Sequence, residues 1–462
     1  MHSHPLHIQR LRPLHRKWGV LAAVGVAALV ISACGSSSTP VATSSGNSSA
    51  PTAAAGSGAG SATPAADSGP VVHLTFQSLA FQPPTVAAVK KIVADFNASH
   101  PKIQITLQQG TADTAGDQLT TQFQGGTAPD IIDFQSSLIT NYIQQGYLAD
   151  ITQYIDPAVK SGIGQNIWDT VTTDGKIYAE PTLLQSYVVF ANTDQLKAAG
   201  VAEPTGATLK WDDFQAMAKK LTKTGQYGLG WGLKSPAATV LNLSMGFDGV
   251  FFTGDPATPN FAVGANELQV PQRIKAMITN KELDPTSVTQ SGSDSLPAFF
   301  AGKYAMVVAG DYVAQTIKAS APADFHWTVL PALAGSSSAH QGADPQTLSV
   351  ATQSKNPKEA VDFINYFGQA KNLAAVGQGD WLIPASQAAR DEIAAQTKGA
   401  DGWTNILATA PQLVKAPFQT AQGYPKWKTQ TMIPSLQKYF AGSLDDSGLT
   451  DALTKGWQAV GN

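Results

Sequence analysis

Of 462 residues only one is cysteine, Cys34. A lone thiol can form neither an internal disulfide nor a cysteine-based zinc cage. Charge is scarce as well: Asp, Glu, Lys and Arg make up 14%, against about 25% in a typical soluble domain. With 30 Lys and Arg against 33 Asp and Glu the net charge is −3, which offers no basic footprint for nucleic acid. Beyond the first few dozen residues the only histidines are His73, His100, His326 and His340, too scattered for metal-ligand spacing. No metal and no cofactor are expected. The motifs of several enzyme classes are also missing: no Gly-x-Ser-x-Gly elbow, His-Glu-x-x-His pair, Walker loop or Gly-x-Gly-x-x-Gly turn occurs. Lys223-Thr224-Gly225 and Ser435-Leu436-Gln437-Lys438 imitate two motifs of serine acyltransferases, but in reversed chain order. Asp212-Asp213, Asp391-Glu392 and Asp445-Asp446 read as helix-start acids favoured by the dipole, not as catalytic pairs. Gly228-Leu229-Gly230-Trp231-Gly232 reads as a glycine-rich turn. The chain is not expected to be an enzyme.

What is present begins with a leader. Arg10, Arg12, Arg16 and Lys17 precede an apolar stretch from Trp18 to Ala33, the order of a signal peptide and too short to span a bilayer. The stretch closes as Leu29-Val30-Ile31-Ser32-Ala33-Cys34-Gly35, which resembles the lipobox of bacterial lipoproteins, with Cys34 as the residue to be lipidated. Residues 1–33 are therefore expected to be removed, leaving a chain near −7 once those four positive charges go. An acylated cysteine would hold it to a membrane, at about 0.8 kcal/mol per buried CH₂. Residues 34–70 follow as Cys34 and a Ser/Ala/Gly-rich tether with Asp67 as its only charge. Such a composition cannot offset its own ordering entropy, and as a coil it reaches about 30–35 Å.

From Val71 the pattern turns α/β. Val71–Gln77 predicts a strand, and Val86, Val89, Ile92, Val93 and Phe96 a helical stripe. Ile103, Ile105 and Leu107 alternate as a second strand, Leu119 and Phe123 mark a helix ended by Gly125-Gly126, and Pro129-Asp130-Ile131-Ile132 predicts a short buried strand. Leu138, Ile139, Tyr142 and Ile143 share a helical face. The alternation returns around Trp211–Leu221, Tyr304–Ala309, Phe325–Leu330 and a helix after Asn356-Pro357, and the end reads as helices Trp427–Ala441 and Leu449–Val460. Strand–helix alternation predicts mostly parallel sheets flanked by helices, with ligands outside the carboxyl ends of strands. Roughly 390 residues exceed one comfortable core, so two α/β lobes are expected.

Several segments in order resemble the extracellular solute-binding proteins of ABC importers, in the family of the maltose and oligosaccharide binders. They include Phe96-Asn97-Ala98-Ser99-His100-Pro101, Gly125-Gly126-Thr127-Ala128-Pro129-Asp130-Ile131-Ile132, Gly146-Tyr147-Leu148-Ala149-Asp150-Ile151, Asp174-Gly175-Lys176-Ile177-Tyr178, Trp211-Asp212-Asp213-Phe214 and Ala298-Phe299-Phe300-Ala301-Gly302-Lys303-Tyr304. Ala191, Lys210 and Tyr312 depart from the family's usual Tyr, Thr and Trp. The resemblance implies a two-lobed periplasmic-binding-protein-like fold of type II. The first lobe would be 71–184 plus 350–382 and the second 187–347 plus 385–462, with crossings near Leu184–Ser186, Leu348–Ala351 and Leu382–Ala385.

It also implies a ligand held between the lobes, expected to be a di- or oligosaccharide. Sugars need flat apolar faces and a ring of polar partners. Gln77, Ser78, Phe81, Phe134, Gln135, Ser137 and Gln185 are the first-lobe and crossing candidates. Asn242, Met245, Asp311, Tyr312, Asp344, Trp381 and Trp427 complete the set. Plainer readings stand beside these: core aromatics for Phe81, Phe134 and Trp427, backbone satisfaction for Gln77 and Gln185, and a cap or hinge for Asp311. The runner-up ligand is a polyol, a sugar phosphate or another small solute, and a surface enzyme on the same scaffold is a third reading. The implied partners are importer permease subunits and a membrane reached through the lipid anchor, with no nucleic acid. The protein is expected as a monomer on the outer face of the cell membrane, or on its periplasmic side where an outer membrane exists.

Overall fold

The computed structural model describes residues 69–460. The leader, Cys34 and the tether as far as residue 68 lie outside the described residues, and with them the lipidation expectation.

Strand Val72–Ser78 buries Leu74 and Phe76. Helix Pro83–Ser99 follows, opened by two prolines and carrying Val89, Ile92, Val93 and Phe96 as its buried stripe. Proline fits there because the first N–H groups of a helix have no partner within it. Strand Ile103–Gln109 then pairs in parallel with the first strand, Val72 opposite Ile103. The next helix, Ala112–Gly125, stops at Gly126 with φ 69°, a left-handed turn that glycine adopts without a Cβ penalty. It delivers the chain to strand Ile131–Gln135, again parallel to the first.

Two distant strands complete this sheet, Gln346–Val350 and Ala179–Pro181, both antiparallel to their neighbours. In a second sheet Tyr227–Trp231 lies parallel to Tyr304–Gly310, while Tyr187–Asn192 and Trp327–Val329 run antiparallel. Both sheets are therefore mixed, not mostly parallel as expected. A continuous strand–helix–strand unit gives parallel pairs. A strand that enters after a long excursion, such as Gln346–Val350, is free of that rule.

The crossings explain much of the topology. Leu183–Leu184 pairs antiparallel with Ile383–Pro384, so two crossing segments hydrogen-bond to each other. Gln341–Ala343 pairs with Leu413–Lys415, and Gln346–Val350 already belongs to the first sheet. Asp344–Pro345 links strand Gln341–Ala343 directly to strand Gln346–Val350.

Aromatic clusters anchor each half. Phe76 and Phe96 both pack on Phe363, with ring centroids 5.3 and 5.1 Å away. Trp211 stacks on Trp231 at 6.2 Å and meets Phe214 edge-on. Burying one such ring stabilises by roughly 1.5–3 kcal/mol. The glycine-rich stretch is not a turn but strand Tyr227–Trp231. A Cβ on Gly228 would lie 1.9 Å from the Ala218 carbonyl oxygen, and one on Gly230 would lie 2.3 Å from the Tyr304 ring. Helix Trp211–Leu221 therefore rests directly on that strand. Asp212 and Asp213 occupy its first turn, and Asp445 caps helix Asp446–Gln458, whereas Asp391-Glu392 fall inside helix Gln387–Thr397. The C-terminal helical stretch is broken by a π-turn at Lys428–Met432, just before Pro434, which has no N–H for the regular ladder.

Candidate functional site

Two adjoining cavities open at the carboxyl ends of strands Val72–Ser78 and Ile131–Gln135. The larger, about 420 Å³, is walled by Leu79, Phe81, Asp133, Phe134, Gln135 and Leu138 from the first lobe. Gln185 on the crossing, Tyr312 from the second lobe, and Asp380 and Leu382 close it. A second cavity of about 340 Å³ shares Gln135, Leu138 and Gln185 and adds Ser137, Tyr187, Asn242, Asp344, Tyr424 and Lys428. A third, of about 160 Å³, joins through Tyr187 and Tyr312 and reaches Trp231 and Thr239. Through these shared residues the three cavities join along one cleft.

Local sequence explains how the side chains are aimed. Phe81 lies between the first strand and the Pro83-Pro84 helix start, and its ring is 70% exposed. Phe134 is 5% exposed, with one part against Tyr142 and another on the cavity. Asp344, on the crossing, accepts hydrogen bonds from Ser136 Oγ at 3.0 Å, Ser137 N–H at 2.9 Å and Ser137 Oγ at 2.8 Å. It thereby caps helix Ser136–Gln144, whose own N-cap makes no side-chain bond. Asn242 Nδ2 donates to the Ala238 carbonyl at 2.8 Å. Gln341 holds Tyr187 by both backbone groups, accepting from its N–H at 2.8 Å and donating to its carbonyl at 3.0 Å.

Six expected positions fall outside the cavity walls, each for a physical reason. Gln77 and Ser78 are buried at the strand end, and Ser78 Oγ accepts the Ala80 N–H at 3.2 Å. Met245 packs in the second-lobe core. Asp311 is wholly buried and accepts from Ser186 N–H and Oγ, both at 3.1 Å, so it ties the crossing to strand Tyr304–Gly310. Trp381 turns left-handed after its helix and stacks on Trp403 at 4.8 Å. Trp427 is fully buried, and its Nε1 donates to the Leu453 carbonyl at 3.1 Å. Phe81, Phe134, Gln135, Ser137, Gln185, Asn242, Tyr312 and Asp344 do come together in the cleft.

The sequence reading passed over Asp133, Tyr187, Asp380, Tyr424 and Lys428 in these walls. Asp133 lies within strand Ile131–Gln135, and Tyr187 opens the strand that follows Gln185. Asp380 and Lys428 had no signal, for each stands beside a more conspicuous tryptophan. Burial raises the Asp133 carboxyl to about 7, with the nearby Asp380 charge adding to it. Burial lifts Asp380 to about 6 against the opposing Thr85 hydrogen bond. Burial also lowers Lys428, opposed by the charge of Asp344, and raises the Tyr187 phenol. Among the described residues no group of three His, Cys, Asp or Glu could hold a metal ion. None of the helices there is long and apolar enough to cross a membrane.

Comparison with known proteins accounts for this architecture. An uncharacterized lipoprotein encoded in the oleD 5′ region of Streptomyces antibioticus is 38% identical over 379 residues, covering 81% of this chain and 84% of that protein. The maltodextrin-binding protein MdxE of Bacillus subtilis is 24% identical over 322 residues, 69% of this chain and 71% of its own. The GacH receptor of Streptomyces glaucescens, solved unliganded and in complex with acarbose, superposes with a TM-score of 0.68 at 20% identity. That match covers 84% of this chain and 98% of the receptor. Residues 82–374 match the family described as bacterial extracellular solute-binding protein. The chain belongs to that family of non-enzymatic binding components of ABC transporters and has its two-lobed type II fold.

Proposed function

We propose that the protein captures a di- or oligosaccharide between its lobes and delivers it to the permease of an ABC importer, held at the membrane through Cys34. The observation that carries this reading is the composition of the cleft wall. Phe81 is 70% exposed and lines the larger cavity. Tyr312 and Phe134 offer further rings in the same cavity, and Gln135, Gln185 and Asn242 offer neutral amides. Rings cover the C–H faces of a sugar, and amides serve its hydroxyls as both donors and acceptors. The cavity volumes lie in the range that engulfs a small ligand. Closure follows because a ligand touching both lobes binds the closed form more tightly than the open one. The maltodextrin-binding relative supports the sugar class.

Melting of the purified protein with a panel of maltose, maltotriose and other disaccharides tests the reading. At a thousandfold excess over Kd, binding adds about 4 kcal/mol, a rise of several degrees in Tm. A panel of saccharides at millimolar concentration that leaves melting unchanged, while an amino acid or phosphate ester raises it, would overturn the carbohydrate reading.

A further inference from the structure

The three cavities of the cleft differ in charge. Asp133 and Asp380 wall the larger one and Asp344 the second. The third, of about 160 Å³, has among the described residues no acidic side chain in its wall and one basic residue, Lys234. Asp294 lies outside that wall, its carboxyl held low by the Ser291 N–H, which it accepts at 2.9 Å, and further by the charge of Lys234. Lys234 is exposed, but its backbone is fixed on both sides. Its N–H donates to the Gln290 carbonyl at 2.9 Å, and its carbonyl accepts from Gln437 Nε2 at 2.7 Å.

The same wall carries the start of a helix. Ser235 and Thr239 bracket the beginning of Ala237–Ser244, whose N-cap, Pro236, makes no side-chain hydrogen bond. The helical ladder opens with the Val240 N–H on the Pro236 carbonyl at 3.0 Å. The N–H groups of the first turn therefore have no partner within the helix, and that end of its dipole is positive. Thr239 supplies an independent sign. It borders the cavity at 3% exposed, and its Oγ1 has no hydrogen-bond partner. A buried hydroxyl in that state is costly, and a ligand oxygen that accepts from it removes the penalty. A neutral sugar hydroxyl could accept that one bond but would draw nothing from the charge of Lys234. A carboxylate gains from the hydroxyl, the helix end and the lysine together. A phosphate monoester would bring close to two negative charges to a wall with one cation.

Building on the capture of a saccharide proposed above, we infer that the third cavity is an anion subsite and that the captured saccharide carries a carboxylate there, as a uronic acid does. Thr239 and the first turn of helix Ala237–Ser244 donate to that carboxylate, and Lys234 balances its charge. Stacking in the larger cavity then accepts a range of sugars, and the third cavity selects the acidic ones among them.

Calorimetry with two matched pairs tests this: digalacturonate against α-1,4-galactobiose, and cellobiouronate against cellobiose. Each pair differs in carboxylate against hydroxymethyl. At least one acid is expected to bind about tenfold tighter than its neutral partner. Thr239→Val and Lys234→Gln are each expected to cut that lead severalfold. Neither endangers the fold, because the valine keeps the side-chain shape while removing an unpartnered hydroxyl, and Lys234 is exposed. Neutral disaccharides that bind as tightly as both acids overturn the anion subsite and leave sugar capture standing. A lead that survives both substitutions also overturns it, because the charge would then be met elsewhere. Glucose 6-phosphate bound more tightly than either acid overturns the assignment to a carboxylate. Failure of all four disaccharides to bind overturns the subsite, and only a melting panel that fails as well counts against sugar capture itself.

Discussion

At the scale of single residues, the cleft separates side chains that a ligand can reach from side chains that hold the walls. Tyr312 is the aromatic that the second lobe presents to the larger cavity. Tyr312→Ala is expected to weaken saccharide binding by about 2 kcal/mol, near thirtyfold in Kd, with melting of the free protein little changed. Unchanged calorimetric affinity would remove the stacking role. Glu180 illustrates the other class. It is 1% exposed, its Oε2 has no partner, and burial pushes its carboxyl well above the usual 4.5, with the charge of Asp156 adding. A carboxyl raised on folding keeps its full stability contribution below the unfolded value and loses it as pH rises toward the folded one. Glu180→Gln should therefore be more stable than the parent at neutral pH, with the advantage shrinking as pH falls toward about 4.5 and gone below it. Denaturant melts across that range check it, and parallel profiles would refute it. The same scale shows why part of the site was legible in sequence and part was not. Phe81, Gln185 and Tyr312 lie at chain positions where the family resemblance expects a ligand. Trp381 and Trp427 stand out by size, but Trp381 leaves its helix in a left-handed turn and Trp427 points about 100° away from Lys428. The adjacent Asp380 and Lys428 face the cavities instead.

At the scale of elements, the strands and helices from Val72 to Gln144 follow from hydrophobic period alone. The stripe Val89, Ile92, Val93 and Phe96 and the alternation Ile103, Ile105 gave elements that the structure contains almost residue for residue. The exception is instructive. Gly228 and Gly230 read as punctuation, yet they lie in a strand where the helix above Gly228 and the Tyr304 ring beside Gly230 leave no room for side chains. Sequence period reports burial but not the closeness of two backbones. Gly228→Ala is expected to cost about 3 kcal/mol, at the upper end of overpacking, as a lower urea midpoint. Asp344 acts on an element as well, capping a first-lobe helix from the crossing segment. Asp344→Ala should cost about 1–2 kcal/mol of stability, read by the same melts, and Asp344→Asn should restore part of it. Full retention of stability in the alanine variant would show the cap to be dispensable. Sheet direction could not be read locally, because the antiparallel strands owe their placement to long excursions of the chain.

At the scale of the whole molecule, two lobes are joined by several strands of chain, and the joints are not alike. Asp311 locks one, deep in the protein, to Ser186. On the same segment Leu183–Leu184 pairs with Ile383–Pro384. A joint made of two paired strands resists sliding of one lobe past the other, since sliding would break backbone hydrogen bonds, but it twists and bends at little cost. In the capture proposed above, such a ribbon would let its two segments bend together while keeping their register.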